Sequence, residues 1–171
     1  MSRTKAFATR AAIVAATLLG ASFTTVAPAS ASGNANYTWG DGEPTLCATS
    51  SSCTKSGNIV RMWQSLLYVD GLYGSSPDID GVFGPNTANL TVQWQKKHGI
   101  SDADGWVGPG TWKKAYDWVT AHHLSNAPEA AYYEFNYPSA QGWMQLRMLY
   151  SNGAWEFVCD GDDFQWRTAT Y

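Results

Sequence analysis

Three cysteines, three histidines and fourteen carboxylates are the side chains of this sequence best suited to chemistry, and their spacing decides which chemistry is open. A hydrolytic zinc site needs spaced histidines with a carboxylate or thiolate in reach. Here His98 stands alone, and His122-His123 are adjacent, so on a helix they point to different sides. No Cys-x-x-Cys spacing occurs, and the histidine pair is far along the chain from Cys47, Cys53 and Cys159. A thiol nucleophile needs a neighbouring histidine and a lowered pKa. Cys159 lies in Phe157-Val158-Cys159-Asp160, beside a carboxylate, which raises a thiol's pKa. Glycoside cleavage needs two placed carboxylates. Of the four glutamates, only Glu134 and Glu156 fall where strands are expected, and no spacing pairs them. The sequence therefore supplies no catalytic set, no metal set and no cofactor motif.

The strongest pattern is an internal repeat. Asp78-Ile79-Asp80-Gly81-Val82-Phe83-Gly84-Pro85-Asn86-Thr87 returns 24 residues later as Asp102-Ala103-Asp104-Gly105-Trp106-Val107-Gly108-Pro109-Gly110-Thr111. Both copies read D-x-D-G-x-x-G-P-x-T. Asp-Gly makes a tight turn in which glycine can take positive φ. An apolar residue then enters the core, and Gly-Pro starts a helix, with proline where its missing N–H costs nothing. The repeat is no calcium loop. Counting from Asp78, glycine falls at the fourth position and asparagine at the twelfth, where an EF-hand needs glycine sixth and glutamate last.

The elements around the repeat follow from periodicity. Ile59, Trp63, Leu66 and Leu67 form an apolar stripe that predicts a helix ending near Val69, before Asp70-Gly71. The two Gly-Pro starts predict helices over 85–98 and 109–122, the first carrying Leu90 and Trp94 and the second Trp112, Ala115 and Val119. Beyond residue 129 the pattern becomes strand-like. Residues 143–150 and 155–158 flank Ser151-Asn152-Gly153-Ala154, a hairpin signal, and 131–137 and 164–170 add two further strands. A meander this small is expected to pack on the helices.

The two ends set the expected compartment. Arg3, Lys5 and Arg10 precede an apolar run from Ala11 to Phe23, and Ala29-Ser30-Ala31 offers a small-x-small cleavage site. Residues 1–31 therefore read as a signal peptide, too short in its apolar run for a membrane span. Residues 32–56, rich in Ser, Gly, Thr and Asn, read as an extended leader. Losing three of the 11 basic residues while keeping all 14 acidic ones leaves a mature charge near −6. That sign disfavours nucleic acid and anionic membranes as partners. Export permits a disulfide, and three cysteines leave one thiol over. Cys47–Cys53 is the near pairing, worth about 2 kcal/mol by chain entropy; a bridge from either to Cys159 would be worth almost 5.

The spaced residues resemble a known family. Val60-x-x-Trp63-Gln64-x-x-Leu67-x-x-x-Gly71 is followed by Asp80-Gly81-x-Phe83-Gly84-x-x-Thr87. Trp94-Gln95-x-x-x-Gly99-Ile100 and Asp104-Gly105-x-Val107-Gly108-x-x-Thr111-Trp112 complete the pattern. Over residues 57–118 this closely resembles the peptidoglycan-binding domain found beside the catalytic domains of many bacterial wall hydrolases. It departs in carrying Trp63 and Trp94 where the family usually has leucine and phenylalanine. The resemblance implies a mainly α fold, a three-helix bundle over 57–122, followed here by the small antiparallel β meander of 129–171. It also implies recognition of peptidoglycan with no enzymatic activity of its own; with the signal peptide this gives a secreted, wall-associated protein, and the doubled motif with no catalytic set predicts that residues 57–118 alone bind peptidoglycan without turning it over. With no basic patch, such a ligand would be held by hydroxyls, amides and apolar faces.

Aromatics are the obvious contacts for sugar faces, and the chain holds nine Trp and nine Tyr. Trp63, Trp94 and Trp112 lie on the core stripes. Trp106 matches Val82 of the first copy while Val107 takes the inward place of Phe83, so Trp106 is expected to be half exposed. Tyr73, in the loop after the first helix, is expected to be similar. Trp106 and Tyr73, with Asp80 and Gln95 as hydrogen-bond partners, are the candidate ligand contacts. For Asp80 and Gln95 the alternative is bonding within the turns and helix ends. A second class of function, an interaction or inhibitor role, would place a wall enzyme on the C-terminal extension. An accessory subunit of a wall hydrolase is a third.

Overall fold

The computed structural model describes residues 39–40, 42–73, 78–122, 132–138, 142–149 and 154–171; side chains of 122, 132–138, 148 and 149 are not among those described. The signal-peptide reading of 1–31 and the Asn152-Gly153 turn lie outside this set. Three helices come first: α1 (Asn58–Val69), α2 (Pro85–Lys97) and α3 (Pro109–His122). The strands β1 (Tyr132–Pro138), β2 (Trp143–Leu149), β3 (Trp155–Cys159) and β4 (Arg167–Thr168) follow as an antiparallel meander in chain order. Mainly helical with a C-terminal β meander, this is the fold class the periodicity predicts.

Both Gly-Pro steps start helices, as their chemistry requires. Pro85 opens α2 after an extended Gly84, and Pro109 opens α3. The positive φ of the repeat falls on Gly81 (76°) and Gly105 (78°), the glycine of each Asp-Gly pair. At Gly105 a Cβ would also stand 2.9 Å from the Ala88 carbonyl oxygen, so only glycine fits there.

The core is built on tryptophan. Trp63 meets Trp94 edge-on at 5.1 Å and Trp112 at 5.6 Å, joining all three helices, and all three rings are fully buried. The Trp63 indole N–H is satisfied by Thr91 Oγ1 at 2.8 Å. Phe83 and Val107, the inward residues of the two repeat copies, are buried with them, while Val82 stands out in water.

The chain on either side of the helices completes this core: the meander packs on the helices as expected, and the segment before α1 does so without any sign in the sequence. The segment read as an extended leader buries Trp39 and Leu46. Trp39 packs edge-on against Trp112 at 5.9 Å and Trp155 of β3 at 5.4 Å. Leu46 exchanges two backbone hydrogen bonds with Val107, at 3.1 and 2.9 Å, and Trp112 donates its indole N–H to the Pro44 carbonyl. The meander covers the other side of α1, and that explains a second difference. The stripe Ile59, Trp63, Leu66 and Leu67 predicts one buried face, yet every residue from Ile59 to Val69 except Arg61 is buried. Even Arg61 is occupied, reaching Asp162 of the tail at 3.0 Å.

Of the possible disulfides, Cys47–Cys53 is formed and Cys159 is a buried free thiol. Burial pushes that thiol up to about 11, with Asp160 and Asp162 adding to the rise, so it is protonated and inert at neutral pH.

Candidate functional site

The two copies of the repeat build the same polar device. In the second, the amide of Gln95, itself buried, accepts from the Gly105 N–H at 2.9 Å. Its nitrogen faces three oxygens: Asp104 Oδ1 at 3.1 Å, the Trp106 carbonyl at 2.9 Å and Thr111 Oγ1 at 3.1 Å. In the first, Gln64 does the same with Gly81, Asp80, Val82 and Thr87. Each glutamine thus pins an Asp-Gly loop to the helix before it. Asp80 and Asp104 each also accept the N–H two residues on, from Val82 and Trp106, at 2.8 Å.

These bonds engage two of the four candidate contacts. Gln95 and Asp80 are engaged in turn and helix-end bonding, the alternative that their types allow. Tyr73 is only 5 % exposed, against the expected half exposure, because its ring folds into the core beside the first repeat loop. Burial, with the nearby charges of Asp78 and Asp80, pushes its hydroxyl up to about 12. Trp106 is 39 % exposed, as its register in the repeat predicts. The four do not converge on one point. Trp106 and Gln95 meet at the second copy, while Tyr73 and Asp80 lie at the first.

Around Trp106 the surface forms an open depression of about 650 Å³, lined among others by Gln95, Asp102, Asp104, Gly110 and Lys114. Across the start of α3 lies a neighbouring hollow of about 440 Å³, lined by Trp39, Pro109, Gly110, Lys113, Tyr116 and Asp117. Both borrow Pro109 and Gly110, so the first turn of α3 is a ridge between them. Sequence reasoning missed the second hollow because Trp39 sits alone in a polar stretch. The surface offers one exposed indole, carboxylates, a lysine and peptide groups, a mixture that suits neutral polar ligands with apolar faces.

Among the described residues, two groups able to do bond-breaking chemistry are engaged structurally. His98 pairs with Asp70 at 3.0 Å and stacks on Trp94 at 4.1 Å. Glu156 accepts from Arg147 at 2.6 Å, and in the strand register Arg147 stands between Glu156 and Glu134. No cluster of three metal-binding side chains occurs among the described residues, nor any helix long and apolar enough to cross a membrane.

Comparison with known proteins places the helical region. No curated protein matches the chain, and neither does any solved structure. Residues 56–114, which hold α1, α2, both repeat loops and the start of α3, match the family model described as "Putative peptidoglycan binding domain", which supports binding of peptidoglycan.

Proposed function

We propose that the chain is a secreted, wall-associated protein that binds peptidoglycan without cleaving it, through the surface around Trp106. The observation that carries this reading is the doubled D-x-D-G-x-x-G-P-x-T motif inside the segment matched by the peptidoglycan-binding family. On this reading residues 1–31 are the signal peptide, 32–56 a leader that packs on the helices through Trp39 and Leu46, 57–122 the binding domain and 129–171 an extension. Among the described residues, His98 and Glu156 have structural partners and the Cys159 thiol is buried, which supports a non-catalytic role.

How the ligand is held follows from charge. With a mature charge near −6, stacking and neutral hydrogen bonds must dominate over ion pairing. Binding to peptidoglycan stripped of anionic polymers is therefore expected to change little between low and moderate salt, since screening acts mainly on exposed charge pairs. Trp106→Ala should weaken it about 3- to 10-fold, the worth of one aromatic stack, at a stability cost of about 1 kcal/mol or less. Sedimentation of both proteins at two salt concentrations checks this. Steep salt dependence with no effect of the substitution would place the bound surface elsewhere.

A further inference from the structure

The loop between β3 and β4 spends binding groups on holding aromatic rings in water. Its four consecutive residues Asp163-Phe164-Gln165-Trp166 are all exposed, Phe164 at 60 % and Trp166 at 38 %, and Trp143 of β2 stands beside them at 37 %. Nothing about the loop's root is loose. Asp162 pairs with Arg61 of α1 at 3.0 Å and with Arg167 at 3.4 Å, and Arg167 also pairs with Asp163. Asp160 Oδ1 accepts the Trp143 N–H at 2.8 Å, and Asp163 Oδ1 accepts the Gln165 N–H at 3.2 Å. The rings themselves are oriented. Arg147 lies over the Trp166 ring at 4.0 Å, and Phe164 meets Trp143 at 6.1 Å. Phe164 does so at φ 60°, the one left-handed residue besides glycine among those described. A bulky residue in that conformation is unfavourable, and solvent exposure gives no burial to offset it.

We infer that Trp143, Phe164 and Trp166 form a second binding site, on the β extension, for the sugar rings of a neutral glycan chain. A pyranose presents C–H faces that stack on aromatic rings and a rim of hydroxyls and amides that takes hydrogen bonds. The loop offers that combination, with the exposed amide of Gln165 between two exposed rings. Charge argues the same way. Arg61, Arg147 and Arg167 at the root each pair with a carboxylate, so the patch presents no spare arginine to an anionic partner. A lipid surface would call for unpaired basic residues beside the apolar ones, and the arginines here are taken up by carboxylates. Here the exposed large apolar side chains described are Val82 and four aromatics, three of them in this patch. The site is separate from the Trp106 surface and does not depend on how that surface is read.

The test uses the full chain without residues 1–31 and chitohexaose, a soluble β-1,4-linked N-acetylglucosamine oligomer with no peptide. Saturable binding is expected, read by tryptophan fluorescence or by NMR shifts. Phe164→Ala and Trp166→Ala should each weaken it about 3- to 10-fold, while Phe164→Tyr and Trp166→Phe should leave it within about twofold. Because the substituted side chains are exposed, near-UV circular dichroism of the core should not change. The proposal is overturned by absence of saturable binding, by binding indifferent to both alanine substitutions, or by loss on Trp106→Ala alone. Binding of phosphatidylcholine vesicles that the same alanine substitutions abolish would also overturn it, by making the patch a lipid contact. Failure to sediment with peptidoglycan would count against the helical-domain reading only.

Discussion

Residues 57–118, expressed without their flanks, are expected to show no cooperative unfolding transition, although they span the region that resembles a complete family module. The reason lies in what covers α1 and Trp112. Met62, Leu66 and Val69 of α1 are fully buried in a helix enclosed on every side, and Trp112 rests against Trp39 and the Pro44 carbonyl. Removing the flanks also takes away Leu46, Trp155 and Phe157, three fully buried side chains. Each large apolar side chain moved into water costs about 1.5–3 kcal/mol. Four or five such losses come to about 6–15 kcal/mol, comparable with the 5–15 kcal/mol by which a domain is ordinarily stable. Urea titration followed by near-UV circular dichroism decides the matter. A sharp transition in the fragment, with the tryptophan signals of the full chain, would show that the flanks only rest on a self-sufficient bundle.

Gln95→Leu is expected to destabilise the full chain by about 2–4 kcal/mol, and Gln64→Leu by a similar amount. In each case an amide buried in the core is tied to a loop N–H, a loop carbonyl, a carboxylate and a hydroxyl. Leucine matches the volume but leaves the Gly105 or Gly81 N–H without its acceptor. A buried group left unpaired costs about 1–3 kcal/mol, and more than one partner is affected. The double substitution should add nearly fully, because the two devices share no partner. Chemical denaturation measures all three proteins. Were Gln95 chiefly a ligand contact, its loss would weaken wall binding and leave stability within about 0.5 kcal/mol.

The sequence made the regular elements legible, and the structure shows why. Gly-Pro at each helix start and Asp-Gly before it are local signals that need no tertiary context, so α2 and α3 begin where the repeat places them. Trp63, Trp94 and Trp112 carry 3.6-residue periodicity and are core, and the offset between Val82 and Phe83 correctly turns Trp106 outward. Residues that depend on distant partners were not legible. Trp39 and Leu46 stand singly among Ser, Gly and Thr, with no period to mark them, and become core only because Trp112, Val107 and Trp155 arrive from elsewhere. Tyr73 was misplaced for the same reason, since a loop tyrosine gives no local sign of burial. Gln95 was ambiguous because one amide can serve a ligand or a turn. Its repetition as Gln64, with four equivalent partners in the other copy, supports the structural role.

The most direct test of the account is sedimentation of the full chain, lacking residues 1–31, with purified insoluble peptidoglycan, while soluble muropeptides in the supernatant are quantified over time. The account predicts that the protein leaves the supernatant with the wall material and that soluble fragments stay at the level of a protein-free control. Protein that remains in the supernatant would contradict the binding reading, and steady release of muropeptides would contradict the non-catalytic one.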